Sequence, residues 1–486
     1  MDILYTPAFE LAEAIKQGKL TARDTLEFFV QRIEEHNPAL NAVVALDLDR
    51  ARARADEADA AVARGEDWGP LHGVPITIKD AFSTEGIVTV GGIPDCRDNI
   101  PRSNAIAVQR YIDAGAIVFG KTNVPFMSSD LQSFNEVYGT TNNPWNLERT
   151  CGGSSGGSSS AVASGLTPLE LGSDIGGSIR TPAHFNGVFG HKPSYGIVPQ
   201  RGHLPPGETT LSEGDLSVAG PIGNNPDDLE KALDLLVGPL PEDAPAYSIK
   251  LPPARTTDPA QLRVAVWSDD EECRVDSDII AAIEAAADSL ETLGAKVDRT
   301  ARPDFDVRTN NQNYGFTLAA AIGGGMPESV FNMMKDIAES SDPGDTSYAM
   351  IQARGIASSH RDWTRQMEKR QHLRSSWARF FKDFDVLLCP CAHVTAFPHD
   401  HSPDMTARRH TVNGEEREYM DILFWSGLTL NTSLPATSTP IGTSSEGLPI
   451  GVQVVADYLQ DKTALAVSRM LADHHRPFTP PPGFGK

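Results

Sequence analysis

Two clusters of glycine and serine lie close together in the segment from Cys151 to Pro182. The first reads GGSSGG over residues 152–157, and the second reads GGS over residues 176–178. So much glycine costs chain entropy, and it is tolerated where the backbone must approach another group closely or adopt unusual dihedral angles. A flexible Gly/Ser linker is the alternative. The intervening residues are apolar enough to be packed, which favours a folded segment: Ala161, Val162, Ala163, Leu166, Leu169 and Leu171.

Patterns typical of strands and of helices alternate along most of the chain. The helical patterns cover residues 105–115 and 278–293. The strand patterns cover residues 74–79, 116–119, 262–267, 295–298, 385–388, 436–441 and 450–455. We therefore expect an α/β fold, built as a single large domain with a mixed central β-sheet covered by helices on both faces.

The first sixty or so residues have a helical pattern, and Thr21 with Asp24 resembles a capping box for one of these helices. We expect residues 1–65 to form an N-terminal helical layer that packs on the core. Residues 66–486 then form the α/β domain. Within it, the proline-rich stretch 237–260 is predicted to be a surface excursion.

Charge and composition exclude several classes of partner. The 486 residues include 65 acidic and 42 Lys or Arg side chains, a net charge of −23, which repels nucleic acid and anionic membranes. The N-terminus lacks a signal-peptide pattern, and no apolar run approaches the roughly 18 residues of a membrane span. Five cysteines without framework spacing favour reduced thiols, and hence a cytoplasmic protein.

Three motifs suggest chemistry that their context does not support. Residues 115–122 match the phosphate-loop pattern GxxxxGK[ST], but the four middle residues are themselves a predicted strand. Cys389 and Cys391 flank one proline beside a buried strand and lack a second ligand pair, so we expect structural cysteines. His399 and His401 are expected to be solvated. The sequence predicts no metal site and no cofactor.

Ser178, in the second cluster, is a candidate nucleophile. A serine hydroxyl attacks poorly until a neighbouring base removes its proton. Lys79 ends an apolar strand pattern, where burial would lower its pKa and leave a neutral amine. The alternative for one lysine at a strand end is an ordinary surface charge.

Several motifs, in order and spacing, resemble those of the amidase signature enzymes. They are PLHGVPITIKD around Lys79, GKTNVPFM and YGTTNNPWN between residues 120 and 146, GGSSGG through GSDIGGSIRTPA, FGHKPSYG at residues 189–196, and LPIGVQVVA near the C-terminus. The resemblance extends from about Leu71 to Ala456, with gaps. It implies a serine-dependent hydrolase of amide carbon–nitrogen bonds.

The resemblance also assigns roles to residues of this chain. Ser178 matches the nucleophile, Ser154 the relay serine that follows a cis peptide bond, and Lys79 the base. Four consecutive backbone N–H groups match the oxyanion hole, those of Ile175, Gly176, Gly177 and Ser178. Ser155 is expected to support the site through hydrogen bonds, and Asp174 and Arg180 are expected to form a pair that braces the oxyanion loop.

Phe126, Met127, Phe424 and Trp425 are candidates for an apolar substrate pocket. Such a pocket would accept a small aryl or alkyl amide, or an ester or carbamate. The alternative is that these residues are simply buried in the core.

Two other functions stay open. The family includes the A subunit of a glutamine-dependent tRNA amidotransferase, which works with partner chains and reads glutamine through an acidic and a basic residue. Asp421 lies in the corresponding region, but its spacing and its apolar surroundings disfavour that function. The other alternative is a non-catalytic binding protein on the same fold. The expected partner is a small-molecule amide, and a homodimer stays open.

Overall fold

A computed structural model describes residues 2–204 and 211–485 of the chain. Its helices are α1 (Ala8–Lys16), α2 (Ala22–Leu40), α3 (Leu48–Ala63), α4 (Ile106–Asp113), α5 (Gly156–Ala163), α6 (Arg180–Asn186), α7 (Pro226–Leu236), α8 (Ser277–Thr292), α9 (Val307–Gly323), α10 (Glu328–Ser340), α11 (Tyr348–Ile356), α12 (His360–Phe380), α13 (Leu423–Leu430) and α14 (Asp461–His474).

Except where α1 and α2, and α9 to α12, follow one another directly, the strands are interspersed with these helices. They are β1 (Val43–Leu46), β2 (Pro75–Lys79), β3 (Ile117–Thr122), β4 (Phe134–Asn135), β5 (Gly139–Thr140), β6 (Asn142–Asn143), β7 (Asn146–Thr150), β8 (Leu169–Asp174), β9 (Phe189–Lys192), β10 (Val218–Gly223), β11 (Arg263–Val266), β12 (Lys296–Asp298), β13 (Val386–Pro390), β14 (Arg409–Val412), β15 (Glu415–Glu418), β16 (Ala436–Thr443) and β17 (Pro449–Ala456).

Eight strands form the central sheet, in the order β12-β11-β13-β17-β16-β9-β10-β8. The pairs β11/β12 and β11/β13 are parallel and the other neighbours are antiparallel, so the sheet is mixed. A second sheet, β1-β3-β2, has parallel β2 and β3. These observations confirm the predicted α/β fold with a mixed central sheet.

Helices cover the central sheet on both faces, as alternate residues of β17 show. Val452 and Val454 point into an apolar cluster with residues of α8 and α14. Their neighbours Gly451 and Gln453 contact His184 and Arg180 of α6 instead. Because successive side chains of a strand point to opposite faces, α6 lies on the other side of the sheet from α8 and α14.

The N-terminal helices pack onto the smaller sheet and one end of the central sheet. One cluster of buried side chains joins α1 and α2 to β2, β3 and β8. Thr21 caps α2, its side chain accepting the N–H of Asp24 at 2.9 Å, as the capping pattern predicts. The helical prediction is wrong at Val43–Leu46, since this short segment pairs with β3 as strand β1. The domain boundary at residue 65 stays a prediction.

Between Val237 and Asp258 the chain has no helix or strand, and most of its side chains are exposed. Among the described helices, none is long and apolar enough to cross a membrane.

Candidate active site

Lys79 is the last residue of β2, and all five residues of this strand are buried. β-Branched Ile76, Thr77 and Ile78 favour the extended conformation that carries the lysine inward. Its Nζ lies 2.6 Å from Ser154 Oγ and 2.9 Å from Ser173 Oγ.

Burial lowers the pKa of Lys79 to about 7, although the Asp174 and Glu170 carboxylates oppose the shift. Glu170, a buried residue of β8, accepts hydrogen bonds from Thr77 Oγ1 at 2.7 Å and Thr122 Oγ1 at 2.9 Å. Burial raises the pKa of Glu170 to about 7 against these bonds. The amine is therefore partly neutral near pH 7, as a general base must be.

Ser154 follows a cis peptide bond, Gly153–Ser154, and precedes α5. A Cβ on Gly153 would lie 2.7 Å from the carbonyl oxygen of Asp130 and 2.8 Å from the nitrogen of Gln132. The bare backbone thus allows a neighbouring loop to pack directly against the turn that presents Ser154.

Ser178 lies in the turn between β8 and α6 and is 4 % exposed. The backbone N–H of Ser155 donates to the carbonyl of Ser178 at 3.0 Å. This bond brings the two Gly/Ser clusters together. The structure therefore places Ser178 beside the turn that carries Ser154, while within the described residues no hydrogen bond joins the Ser154 and Ser178 hydroxyl groups.

The turn before Ser178 contains the backbone N–H groups that are predicted to form the oxyanion hole. The N–H of Gly177, whose φ is +96°, donates to Asp174 Oδ1 at 2.8 Å. Within the described residues, no hydrogen bond engages the N–H groups of Ile175, Gly176 or Ser178. Three of the four predicted donors are thus open, whereas Gly177 departs from the prediction because Asp174 occupies its N–H.

Asp174 and Arg180 form a fully buried ion pair. Arg180 Nη2 lies 3.0 Å from Asp174 Oδ1, and its Nε donates to Oδ2 at 3.0 Å. Burial pushes the pKa of Asp174 upward, but the guanidinium outweighs it and holds the pKa below its usual value. The same carboxylate accepts the N–H of Ile179 at 3.0 Å. The pair braces the turn that presents Ser178.

Ser155 and Ser173 support one another across the site. The Oγ of Ser155 donates to the carbonyl of Ser173 and accepts its N–H, both at 3.3 Å. Ser173 Oγ also lies 2.8 Å from His203 Nε2. Ser173 belongs to the GSDIGGS motif and could have been noticed there. His203 carries no signal in the sequence, because its partner lies 30 residues away.

The four predicted pocket residues divide into two pairs. Phe126 and Met127 lie in a short turn, in which Met127 has φ +50°, and they are 50 % and 36 % exposed. Phe424 and Trp425 are buried in an apolar cluster, where the Trp425 ring meets that of Trp267 edge-on at 5.7 Å. The prediction that Phe424 and Trp425 line a substrate pocket is therefore wrong. Both are core residues, because their side chains pack against strands of the central sheet.

The three remaining motifs are a strand, a pair of buried thiols and two histidines, one of which stacks on an aromatic ring. Residues 117–122 of the phosphate-loop match form strand β3 and cannot wrap around a phosphate. Cys389 and Cys391 are buried free thiols. The ring of His401 stacks on that of Phe134 at 3.9 Å. Residues 2–204 and 211–485 contain no group of three or more His, Cys, Asp or Glu side chains placed to hold a metal.

Comparisons with known proteins match nearly the whole chain. The family model described as Amidase matches residues 24–465. An indoleacetamide hydrolase from Bradyrhizobium diazoefficiens is 33% identical over 473 residues, which cover 94% of this chain and 84% of the relative. The A subunit of a glutamyl-tRNA(Gln) amidotransferase from Synechococcus sp. is 31% identical over 482 residues, or 94% of each chain.

Solved structures have the same fold. The crystal structure of a bacterial aryl acylamidase of the amidase signature enzymes superposes with a TM-score of 0.80 and 25% identity. The match covers 98% of this chain and 97% of the acylamidase.

Proposed function

The chain belongs to the amidase signature family of carbon–nitrogen hydrolases, and we propose that it cleaves small amides through an acyl-enzyme on Ser178. In this proposal Ser154 relays the proton and Lys79 is the base. The observation that carries it is the 2.6 Å contact between Lys79 Nζ and Ser154 Oγ in a buried site. That contact also speaks against a non-catalytic binding protein, since a buried lysine beside a serine hydroxyl is costly without a use.

The proposed reaction begins with two coupled proton transfers. Ser178 gives its proton to Ser154, which gives its own to the neutral amine of Lys79, while Ser178 Oγ bonds to the carbonyl carbon of the amide. The same path then runs backward and protonates the leaving nitrogen, so that the C–N bond breaks and a neutral amine departs. Water attacks the remaining ester, releasing the carboxylic acid and restoring Ser178.

The open N–H groups of Ile175, Gly176 and Ser178 are the proposed donors to the oxyanion. Each such donor typically contributes about 10²- to 10³-fold in rate, because it is fixed before negative charge develops. Gly177 has a different proposed role: its N–H ties the turn to Asp174 and so fixes the other three donors.

An aryl or alkyl amide is the proposed substrate class. Phe126 and Met127 offer exposed apolar surface, and the N–H of Met127 donates to the carbonyl of Gly91 at 2.9 Å, which holds the turn in place. The names of two relatives, indoleacetamide hydrolase and aryl acylamidase, support this class. Activated esters and carbamates pass through the same acyl-enzyme and are proposed as further substrates.

The glutamine-dependent amidotransferase is the competing function, since chains of that enzyme are among the relatives. Asp421, the acidic residue considered for reading glutamine, is already engaged by Arg417, whose Nε donates to Asp421 Oδ2 at 3.1 Å. This pairing favours the simple hydrolase.

A substrate panel distinguishes the two functions. Anilides, indole and alkyl primary amides, carbamates and glutamine are incubated separately with the purified chain, and the released amine or ammonia is measured. Hydrolysis of aryl or alkyl amides in preference to glutamine supports the proposal. Release of ammonia from glutamine, with no cleavage of the other amides, would contradict the proposal and favour the amidotransferase function.

We also propose a reducing compartment such as the cytoplasm, because the five cysteines are all unpaired. A homodimer stays a proposal, and light scattering of the purified protein tests it.

A further inference from the structure

Ser173 links the proposed base to a histidine. Its Oγ lies 2.9 Å from Lys79 Nζ and 2.8 Å from His203 Nε2, and the serine is 3 % exposed. Ser173 is the residue of β8 just before Asp174. The base thus has two hydroxyl neighbours, Ser154 on the proposed relay and Ser173 on a branch that leads to His203.

Backbone hydrogen bonds fix His203 beside this branch. The N–H of Ser83 donates to the carbonyl of Gly202 at 2.8 Å, and the N–H of Leu204 donates to that of Ala81 at 3.1 Å. The His203 ring also meets the Phe82 ring edge-on at 4.8 Å. Residues 81–83 follow Lys79, the last residue of β2, after one intervening residue, so the histidine is bound to the same stretch of backbone that carries the lysine.

The number of protons available to Lys79, Ser173 and His203 restricts which of them donates in each hydrogen bond. A neutral lysine amine has one lone pair, and a serine hydroxyl has one proton to donate. If Ser173 donated to Lys79, it would occupy the lone pair that must take the proton from Ser154. If Ser173 donates to His203 instead, Lys79 donates to Ser173 and its lone pair is left for Ser154.

We propose that His203 is a positioning residue that accepts the hydroxyl proton of Ser173 at Nε2 and thereby keeps the lone pair of Lys79 directed at Ser154. This role rests on the proposed function, since it concerns the same base. Among the described residues, the hydrogen bond of the His203 side chain is to Ser173, and in this proposal the histidine acts on Lys79 through this serine.

The electrostatic surroundings agree with an accepting imidazole. Burial, and then the charge of Lys79, lower the pKa of His203 to about 3. The ring is therefore neutral in ordinary buffers, and a neutral ring with its proton on Nδ1 presents a lone pair at Nε2.

Four variants test the proposal. His203→Leu removes the acceptor, His203→Gln keeps an amide oxygen at a similar reach, Ser173→Ala removes the link, and the double variant combines Ser173→Ala with His203→Leu. The first measurement is the rate at which a fluorophosphonate labels Ser178 at pH 7, because it reports nucleophile activation without a known substrate. The second is kcat and KM on the best amide of the panel.

We expect His203→Leu to slow labelling and lower kcat by about 10-fold or more with KM unchanged, within the range for a mispositioned base. His203→Gln should recover most of this loss. In the Ser173→Ala background, His203→Leu should change the rate by less than about 2-fold, because residues that act through one link are not additive.

A wild-type labelling rate in His203→Leu would overturn the proposal. The proposal would also be overturned if His203→Leu reduced the rate by the same factor in the wild-type and in the Ser173→Ala background. Thermal melting checks that each variant is folded. If His203→Leu does not fold, His203→Asn replaces it in the comparison, because the shorter Asn side chain moves the acceptor away from Ser173. A wild-type chain that is not labelled at all, and cleaves no amide, would instead refute the proposed function on which this role rests.

Discussion

Lys79 Nζ lies 2.6 Å from Ser154 Oγ, although the two residues are 75 positions apart in the chain. One is the end of a buried strand, and the other follows a cis peptide bond in a glycine-rich turn. Neither residue would have unusual reactivity alone. Their contact inside the protein makes a lysine with a pKa of about 7 available to a chain of hydroxyl groups.

Replacing the base should nearly abolish activity. Lys79→Met keeps the apolar stem but removes the amine, and we expect kcat to fall by about 10²- to 10⁴-fold, the usual contribution of a general base. The rate at which a fluorophosphonate labels Ser178 should fall in parallel, with the labelled residue identified by mass mapping. Lys250→Met, at an exposed position, is the matched control and should label normally. Equal labelling of the two variants would exclude Lys79 as the base.

The rate should rise with pH. Because only the neutral amine can accept a proton, kcat/KM should increase through an apparent pKa of about 7, where Lys79 loses its charge, and then level off. The activity is lost below this range because the protonated amine has no lone pair. The measurement is kcat/KM on one amide in overlapping buffers, and a flat profile across pH 5 to 9 would contradict the assignment.

Removing the Glu170 carboxylate should shift the pH at which kcat/KM rises. The Glu170 carboxylate raises the pKa of Lys79 against the effect of burial, so Glu170→Gln should lower it further. We expect the rise to move to lower pH by about half a unit, since Glu170 is only partly ionised near neutrality. Asp234→Asn, a surface change beside Lys462, should leave the profile in place. A shift to higher pH in Glu170→Gln would be inconsistent with this electrostatic account.

The buried pair Asp174–Arg180 should matter more for stability than an exposed one. Asp174→Asn leaves the guanidinium buried without its partner, which costs roughly 3–5 kcal/mol. Asp56→Asn breaks the exposed pair with Arg23 and should cost at most about 1 kcal/mol. Urea unfolding of both variants gives the comparison, and equal losses would show that the buried pair is not needed to brace the turn.

Two adjacent glycines should respond differently to a methyl group. Gly177 has φ +96°, and a Cβ there would lie 2.7 Å from Thr181 Oγ1, so Gly177→Ala should reduce kcat by about 10- to 100-fold through backbone strain. Gly176 has no positive φ, and its Cβ would meet two side chains, Leu423 at 3.1 Å and the Tyr314 hydroxyl at 3.6 Å. Gly176→Ala should therefore reduce kcat on the same amide by a smaller factor than Gly177→Ala. The reverse order would mean that the turn relaxes at Gly177.

Sequence patterns predicted β2, which carries Lys79, because its apolar run is continuous and ends at a charged residue. They did not predict β8, which carries Ser173 and Asp174, because Glu170, Gly172 and Ser173 interrupt its apolar residues. They missed β1, which spans only Val43–Leu46 between two helices and is extended because it pairs with β3. They also assigned Phe424 and Trp425 to a pocket. An aromatic residue on a helix has the same local pattern whether it faces a cavity or a core, so only packing against the sheet distinguishes the two.

The sequence by itself determined which residue types are available: a lysine at the end of an apolar strand, and serines flanked by glycines, whose backbone other groups can approach closely. These features are local, and local propensity and sterics encode them. The tertiary structure alone decided that Lys79 is buried near neutral pKa, that Asp174 occupies the N–H of Gly177, and that His203 meets Ser173. Desolvation and hydrogen bonding act through space, so their effect on reactivity exists only after distant segments have packed together.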